Sequence, residues 1–191
     1  MTNYLEDITM DTCASSYRRY LQGDEGAFDE IVKELFDSLV FFIDRYVSDT
    51  AAAEDIAIDA FTELVVHKHR YNFKVTLKTY LFMIGRSRAL NYLKHRKRLA
   101  ETELEEADYA DDRLTLEEQF VRTQQSRLLH KALAQLPEDM RTAVHLVYFE
   151  GMSYEEAAKV MKKTRKQIDN LLYRAKTALR TKLGKEGEFA I

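Results

Sequence analysis

Glu150-Gly151-Met152-Ser153-Tyr154-Glu155-Glu156-Ala157-Ala158-Lys159-Val160-Met161-Lys162-Lys163-Thr164-Arg165-Lys166-Gln167-Ile168 writes two helix starts a short turn apart. Ser153 with Glu156, and Thr164 with Gln167, each form an S/T-x-x-E/Q capping box, in which the cap hydroxyl and the side chain three residues on each take an orphan amide hydrogen. The first helix carries small Ala157 and Ala158, where a crossing helix must come close. The second carries Ile168, Leu171, Leu172, Ala175 and Leu179 along one stripe at helical spacing. This is the pattern of a helix-turn-helix. The remaining face of the second helix holds Arg165, Lys166, Asp169, Asn170, Tyr173 and Arg174, side chains able to reach phosphates and base edges in a major groove.

An amphipathic hairpin with a merely solvated face has the same caps, and charge distribution separates the two readings. From Lys162 to Lys182 there are eight Lys or Arg against one acid, Asp169, in a chain of net charge -3. An acidic protein has concentrated positive charge where it would meet a phosphate backbone.

With 191 residues the chain suits one ordinary domain or two small ones. A composition of 46% hydrophobic and 32% charged residues is globular, and one proline with six glycines leaves few breakers, so an all-helical protein is expected. The apolar run Leu39-Val40-Phe41-Phe42-Ile43 is far shorter than the ~20 residues that span a bilayer. The acidic start Tyr4-Leu5-Glu6-Asp7 lacks the parts of a signal peptide, so a cytoplasmic location with no membrane insertion is expected. The single cysteine, Cys13, excludes an internal disulfide and a Cys-rich zinc site. His67-x-His69 does not share a helix face, so no metal site is expected. No phosphate loop, nucleophile elbow or isolated carboxylate pair is present, so neither a cofactor nor an active site is expected.

Composition divides the chain into parts. Phe28, Ile31, Val32, Leu35, Phe36, Leu39, Val40, Ile43 and Val47 form one helical stripe, and Ile56, Ala57, Ala60, Phe61 and Leu64 another. A third partner follows the polar break His69-Arg70-Tyr71-Asn72, with Leu77, Leu81, Ile84 and Leu90 on its apolar side. Its tail has six cations and no acid among residues 86–98: Arg86, Arg88, Lys94, Arg96, Lys97 and Arg98. Tyr71, Phe73, Tyr80 and Tyr92 lie in or near that stretch, and aromatics mixed with cations are what single-stranded bases stack on. A bundle with aromatic core residues explains the same pattern, and is the better account of Phe73.

Between Glu101 and Glu118 nine acids face one base, Arg113, a like-charge block that reads as an extended linker. Thr115 with Glu118 offers a further capping box. Phe120, Leu128, Leu129, Ala132, Leu133 and Leu136 then continue to Pro137, which stops that helix and leaves Glu138 and Asp139 in the first turn of the next.

Six pieces in this order resemble the extracytoplasmic-function (ECF) sigma factors, small promoter-recognition subunits of bacterial RNA polymerase within the sigma-70 superfamily. They are Gly23-Asp24-Glu25-Gly26-Ala27-Phe28; Ala53-Glu54-Asp55-Ile56 with Asp59-Ala60-Phe61; Tyr80 to Arg86 leading to Asn91-Tyr92-Leu93; Leu136-Pro137-Glu138 with Arg141; Glu150 to Ala158; and Leu172-Tyr173-Arg174-Ala175. The resemblance implies an all-α fold of two small helical domains joined by an acidic linker. The expected parts are an unassigned tail 1–22, a region 2 domain 23–98, the linker 99–118, a region 4 helix-turn-helix domain 119–183 and a tail 184–191.

The resemblance also implies roles. Glu54, Asp55, Asp59, Phe61 and Glu63 match the segment that grips the clamp helices of the largest (β′) subunit. The loop from Tyr71 to Thr76 and the helix from Tyr80 to Arg98 match the part that opens the downstream element and holds an extruded base, with Tyr71, Asn72, Lys74, Tyr80, Arg86, Ser87, Asn91, Lys94 and Arg96 as candidates. Arg165, Lys166, Gln167, Asn170 and Arg174 match the upstream recognition helix, and Arg141, Ser153 and Tyr154 its phosphate contacts. Expected partners are core RNA polymerase through β′ clamp helices and β flap, promoter DNA and an anti-sigma factor.

This chain departs from the family pattern at several positions: Ile58 replaces the common glutamine, Tyr80 tryptophan, Ser87 asparagine, Asn91 aspartate and Lys162 the turn glycine. Lys163 replaces an apolar residue. The function implied is recognition of a bipartite (−35/−10) promoter on core polymerase, followed by melting, without catalysis. A reading of a different class is a self-sufficient helix-turn-helix regulator whose N-terminal bundle dimerises or senses a ligand. A third is a regulator acting only through protein contacts.

Overall fold

A computed structural model describes residues 12–103, 129 and 131–185, and every regular element among them is helical. The chain divides into two compact units, residues 1–113 and 114–191. Residues 104–118 of the expected linker, with the Thr115 cap, lie outside the described residues, as do Phe120 and Leu128 and the tails 1–11 and 186–191.

The first unit contains α1 (Thr12–Leu21), α2 (Gly26–Val47), α3 (Thr50–Val66) and α4 (Leu77–Glu103). Of the expected stripe of α2, Ile31, Leu35, Leu39, Val40, Ile43 and Val47 are buried and Phe28, Val32 and Phe36 half-buried, while Phe42 widens the buried face. The width is needed because α2 packs against each of the other three helices. Phe42 meets Phe82 of α4 at 4.8 Å between ring centroids, both rings fully enclosed. Each such side chain contributes about 1.5–3 kcal/mol by leaving water. Ser48, at φ 51°, ends α2, and Asp49 starts α3 by accepting the Ala52 amide at 3.2 Å. Along α3, small Ala53, Ala57 and Ala60 alternate with Ile56, Phe61 and Leu64 on the buried side.

Two boundaries differ from expectation. The stretch 12–21, unassigned in the sequence, is the helix α1. It docks on α2 and α4 through Cys13, Ala14, Ser16 and Tyr17, which are buried. An isolated helix of this length is marginal in water, so tertiary docking, not propensity, decides it. Ser16 Oγ donates to Glu30 at 2.7 Å, and Arg19 pairs with Asp24 and Glu30, which ties α1 to the start of α2. At the other end α4 continues past Arg98 to Glu103, into the stretch read as extended linker. No glycine or proline interrupts Leu99-Ala100-Glu101-Thr102-Glu103, so nothing in it breaks the helix.

In the second unit a helical stretch at 131–134 ends before Pro137, which precedes α5 (Glu138–Val144). Glu138 and Asp139 occupy its first turn, as expected. Ala132, Leu133 and Leu136 are buried, whereas Leu129 is 37% exposed. A π turn, His145–Phe149, follows α5 directly and has no signature in the sequence. It buries His145 and Leu146 while Tyr148 and Phe149 face outward, and His145 Nε2 lies 3.1 Å from Glu150 Oε1. Gly151, at φ 68°, then reverses the chain where a side chain would strain the turn. Beyond it come α6 (Tyr154–Met161) and α7 (Arg165–Lys185), and α7 packs on both α5 and α6.

α4 comes close to α2 at Gly85. A Cβ there would lie 2.9 Å from Leu39 Cδ1 and 3.1 Å from Ile43 Cδ1. Both neighbours are 0% exposed and have no free space to swing into. Gly85→Ala gains about 1 kcal/mol of helix propensity, against about 1–3 kcal/mol for overpacking. A net loss of about 1 kcal/mol is expected in denaturant unfolding, while Gly26→Ala, at a roomy helix start, is expected to be neutral or better.

Candidate nucleic-acid and polymerase interfaces

Both capping boxes form. Ser153 Oγ accepts the Glu156 amide at 3.2 Å and Glu156 accepts the Ser153 amide at 2.9 Å. Gln167 Oε1 accepts the Thr164 amide at 2.8 Å and Thr164 Oγ1 accepts the Gln167 amide at 3.2 Å. The turn between the helices puts Lys162 at φ 54°, the left-handed conformation that glycine adopts most easily. Lys163 reaches back to Asp139 of α5 at 2.9 Å, which anchors the turn to the unit's core.

These caps orient α7 so that Ile168, Leu172 and Ala175 are buried while Arg165, Lys166, Gln167, Asn170, Tyr173 and Arg174 are exposed. Tyr154, Arg165, Lys166 and Asp169 line a cleft of about 410 Å³ at the α6–α7 junction. Burial there, followed by the neighbouring Tyr148 and Asp169, pushes the Tyr154 phenol above its ordinary pKa, so it stays a protonated donor. Arg165 Nε holds Glu155 at 2.7 Å, which aims its guanidinium from the first turn of α7. Part of the candidate set is used inside the protein: the Ser153 hydroxyl and Gln167 amide oxygen serve the caps, and Arg141 Nη1 donates to the Ala134 carbonyl at 3.2 Å.

In the first unit, Glu54, Asp55 and Asp59 lie exposed on α3. Phe61 does not join them. It is 5% exposed and packs edge-on against Phe28 at 6.3 Å and at a tilt against Phe36 at 5.9 Å, so it supports α3 from behind. Its stripe position predicted this burial; only the resemblance pointed outward. Sequence reasoning also missed Arg88, which reaches across from α4 to Asp59 and to Glu63, each at 2.9 Å, while Arg70 also holds Glu63. Burial opposes ionisation of Glu63, but hydrogen bonds from Arg70 and Arg88 outweigh it and hold the carboxyl below its usual pKa. Ile58, 52% exposed among these acids, adds an apolar spot to the same face.

The downstream candidates separate in the same way. Asn72 and Lys74 are exposed, with Asn72 Oδ1 accepting the Lys74 amide at 3.1 Å in an Asx turn. Tyr71 is a core residue instead: its ring is 3% exposed and its hydroxyl donates to the Val75 carbonyl at 2.7 Å, leaving no face for a base. Tyr80 stands half-buried at the start of α4, 5.2 Å from Tyr71. Arg86 donates to the Tyr46 hydroxyl at 3.2 Å and Arg96 to the Val47 carbonyl at 3.5 Å, where it closes the end of α2. Asn91 and Lys94 face solvent with half-buried Ser87 on the same side of α4. Phe73 adopts φ 59°, a rare conformation for a bulky side chain, which its sequence context does not announce. Among the described residues no group of His, Cys, Asp and Glu side chains suits a metal ion, and His67 and His69 are both exposed. No helix among those residues is long and apolar enough to cross a membrane.

Residues 31–99 match the family model for sigma-70 region 2, and residues 126–179 match sigma-70 region 4. The chain is 30% identical over 181 residues to the RNA polymerase sigma-H factor of Pseudomonas aeruginosa, covering 90% of this chain and 94% of that relative. The chain belongs to the ECF branch of the sigma-70 family. It is also 26% identical to the ECF RNA polymerase sigma-E factor of Haemophilus influenzae, over 86% of this chain and 92% of that one. Among solved structures, the sigma factor RpoE of Bartonella quintana, in complex with the anti-sigma factor NepR, is similar with a TM-score of 0.65 and 25% identity, covering 82% of this chain and 96% of that one. CnrH, in complex with the cytosolic domain of CnrY, shares the fold with a TM-score of 0.60 at 18% identity, over 92% and 97% of the two chains.

Two stability predictions test the division of α6 and α7. Lys162→Gly relieves about 1–2 kcal/mol of left-handed strain and adds about 0.4–1 kcal/mol of unfolded-chain entropy, so a net gain of about 0.5–1 kcal/mol is expected in thermal unfolding. Ile168→Asp buries an unpaired carboxylate and is expected to abolish cooperative unfolding of this unit. Arg174→Ala, on the exposed face, is expected to change stability by less than about 0.5 kcal/mol. Equal damage from Ile168→Asp and Arg174→Ala, measured by calorimetry, would contradict the two-faced α7.

Proposed function

We propose that this sigma factor binds core RNA polymerase, reads a promoter with upstream and downstream elements, and helps melt the downstream one without catalysis of its own. The observation that carries the reading is the order on one chain of a region 2 match and a region 4 match, the latter containing a helix-turn-helix with an exposed basic face. A self-sufficient regulator has no need of the region 2 half, so the alternative is not favoured.

In this reading Arg165, Lys166, Gln167, Asn170 and Arg174 meet the upstream element, and Arg141, Ser153 and Tyr154 lie near its phosphates. Two arginines on one face suit guanine edges or phosphates, and each good bidentate contact discriminates by about 1–3 kcal/mol. Asn72, Lys74, Tyr80, Arg86, Ser87, Asn91, Lys94 and Arg96 serve the downstream element. Glu54, Asp55, Asp59 and Glu63 face the β′ clamp helices, with Asp59 and Glu63 partly neutralised in advance by Arg88. Region 4 engages the β flap, the factor works in the cytoplasm, and an anti-sigma factor restrains it, in keeping with the complexes in which its structural neighbours were solved.

Transcription in vitro with core polymerase tests the reading: specific transcripts are expected only when this chain is added. Asp55→Arg is expected to weaken core binding at least tenfold, about 1.4 kcal/mol, with helical content unchanged. An insertion of about 5 base pairs between the elements places them on opposite faces of DNA that turns every 10–10.5 base pairs, and near-complete loss of transcription is expected. Transcripts that survive both this insertion and a scrambled downstream element would favour a one-site regulator instead.

A further inference from the structure

Tyr17 of α1 is 0% exposed, and its hydroxyl donates to the Leu64 carbonyl at 2.8 Å and the Lys68 carbonyl at 3.1 Å. Those carbonyls belong to the last turn of α3 and to the loop that leaves it, groups that have no partner further along the helix. Burial, with a smaller contribution from Tyr20, pushes the phenol's pKa up to about 12, so the donor persists at any working pH. α1 therefore fixes the point from which the downstream-element loop departs.

The contacts continue into the loop itself. The Tyr17 ring meets Tyr71 edge-on at 5.7 Å and Phe73 at 6.2 Å, and Tyr71 stacks obliquely on Phe73 at 4.6 Å. Tyr71 passes the contact to Tyr80 at the start of α4. The Arg18 guanidinium lies 4.7 Å above the Phe73 ring. A phenylalanine at φ 59° costs conformational free energy and persists only where its surroundings hold it. Here the surroundings are Tyr71 and two consecutive residues of α1. The loop's backbone has short-range support as well, from the Arg70 amide to the His67 carbonyl, from the Lys74 amide to Asn72 and from the Tyr71 hydroxyl to the Val75 carbonyl.

We propose that Tyr17 and Arg18 are positioning residues for promoter opening: α1 holds the 71–76 loop, through Phe73, in the shape that receives the opened downstream strand. The proposal rests on the promoter-recognition reading. Glu54 and Asp55 of the proposed polymerase face lie about 14–15 Å along α3 from Leu64 at ~1.5 Å per residue, whereas Glu63 of that face adjoins it, so opening and polymerase binding are measured separately.

The test uses Tyr17→Phe, which removes only the hydroxyl, and Arg18→Gln, on an exposed side chain that cannot unfold the bundle. Each full-length variant is assembled with core polymerase on a promoter selected from a random library by run-off transcription with the wild-type holoenzyme. Opening is followed by 2-aminopurine fluorescence in the downstream element, and polymerase affinity by competition against the wild type. Both variants are expected to open the duplex about 3–10-fold more slowly, to bind polymerase within twofold of wild type, and to transcribe at the wild-type rate from a template mismatched across the downstream element. A purely structural role would lower polymerase binding and transcription from the mismatched template equally. Wild-type opening rates in both variants, or a defect undiminished on the mismatched template, would overturn the proposal. If the wild-type chain itself selects and opens no promoter, the promoter-recognition reading fails first, and this inference with it.

Discussion

The approach of α4 to α2 at Gly85, where no Cβ fits beneath Leu39 and Ile43, sets the geometry on which the first unit depends. With α4 drawn down onto α2, Phe82 reaches Phe42, and Leu77, Leu81 and Ala89 complete the core. The start of α4 is thereby fixed, and with it one end of the 67–76 loop. The other end leaves α3 where Tyr17 gathers the terminal carbonyls. A loop tethered at both ends by buried groups has little conformational freedom to lose on meeting DNA, which favours binding by preorganisation.

The two units solve the same problem differently. In the first, helices long enough to carry broad apolar faces pack around α2, and the outward faces of α3 and α4 are left for charge. In the second, short helices depend on their ends: the reciprocal caps at Ser153 and Thr164 and the left-handed Lys162 fix how α6 meets α7. Losing one cap typically costs about 1 kcal/mol, a large fraction of what a small unit has to spare. Charge is arranged to match. The acids of α3 are partly answered by Arg88 and Arg70 from within, whereas the cations of α7 largely face outward, with Arg165 steered by Glu155.

That internal pairing bears on how the α3 face works. Asp59 and Glu63 already share the Arg88 guanidinium, so a partner approaching this face also meets Glu54 and Asp55 as exposed carboxylates and Ile58 as an apolar centre. Exposed ion pairs contribute little by themselves, and burying an apolar side chain such as Ile58 against a partner contributes about 1.5–3 kcal/mol.

The sequence by itself determined the all-helical class, both helix starts in the helix-turn-helix, the buried stripes of α2 and α3, and the split of α7 into apolar and basic faces. These features are periodic or local, and a short stretch of residues contains all the physics that specifies them. Tertiary structure alone decided the rest. It made a docked helix of residues 12–21, too short to stand alone, and it carried α4 past Arg98. It turned Tyr71 inward, inserted the π turn at His145–Phe149, and paired Arg88 with acids far away in sequence. An aromatic or an arginine has the same letter in a core and at an interface. Only the neighbours brought to it by packing determine whether its ring has a free face or its charge a partner.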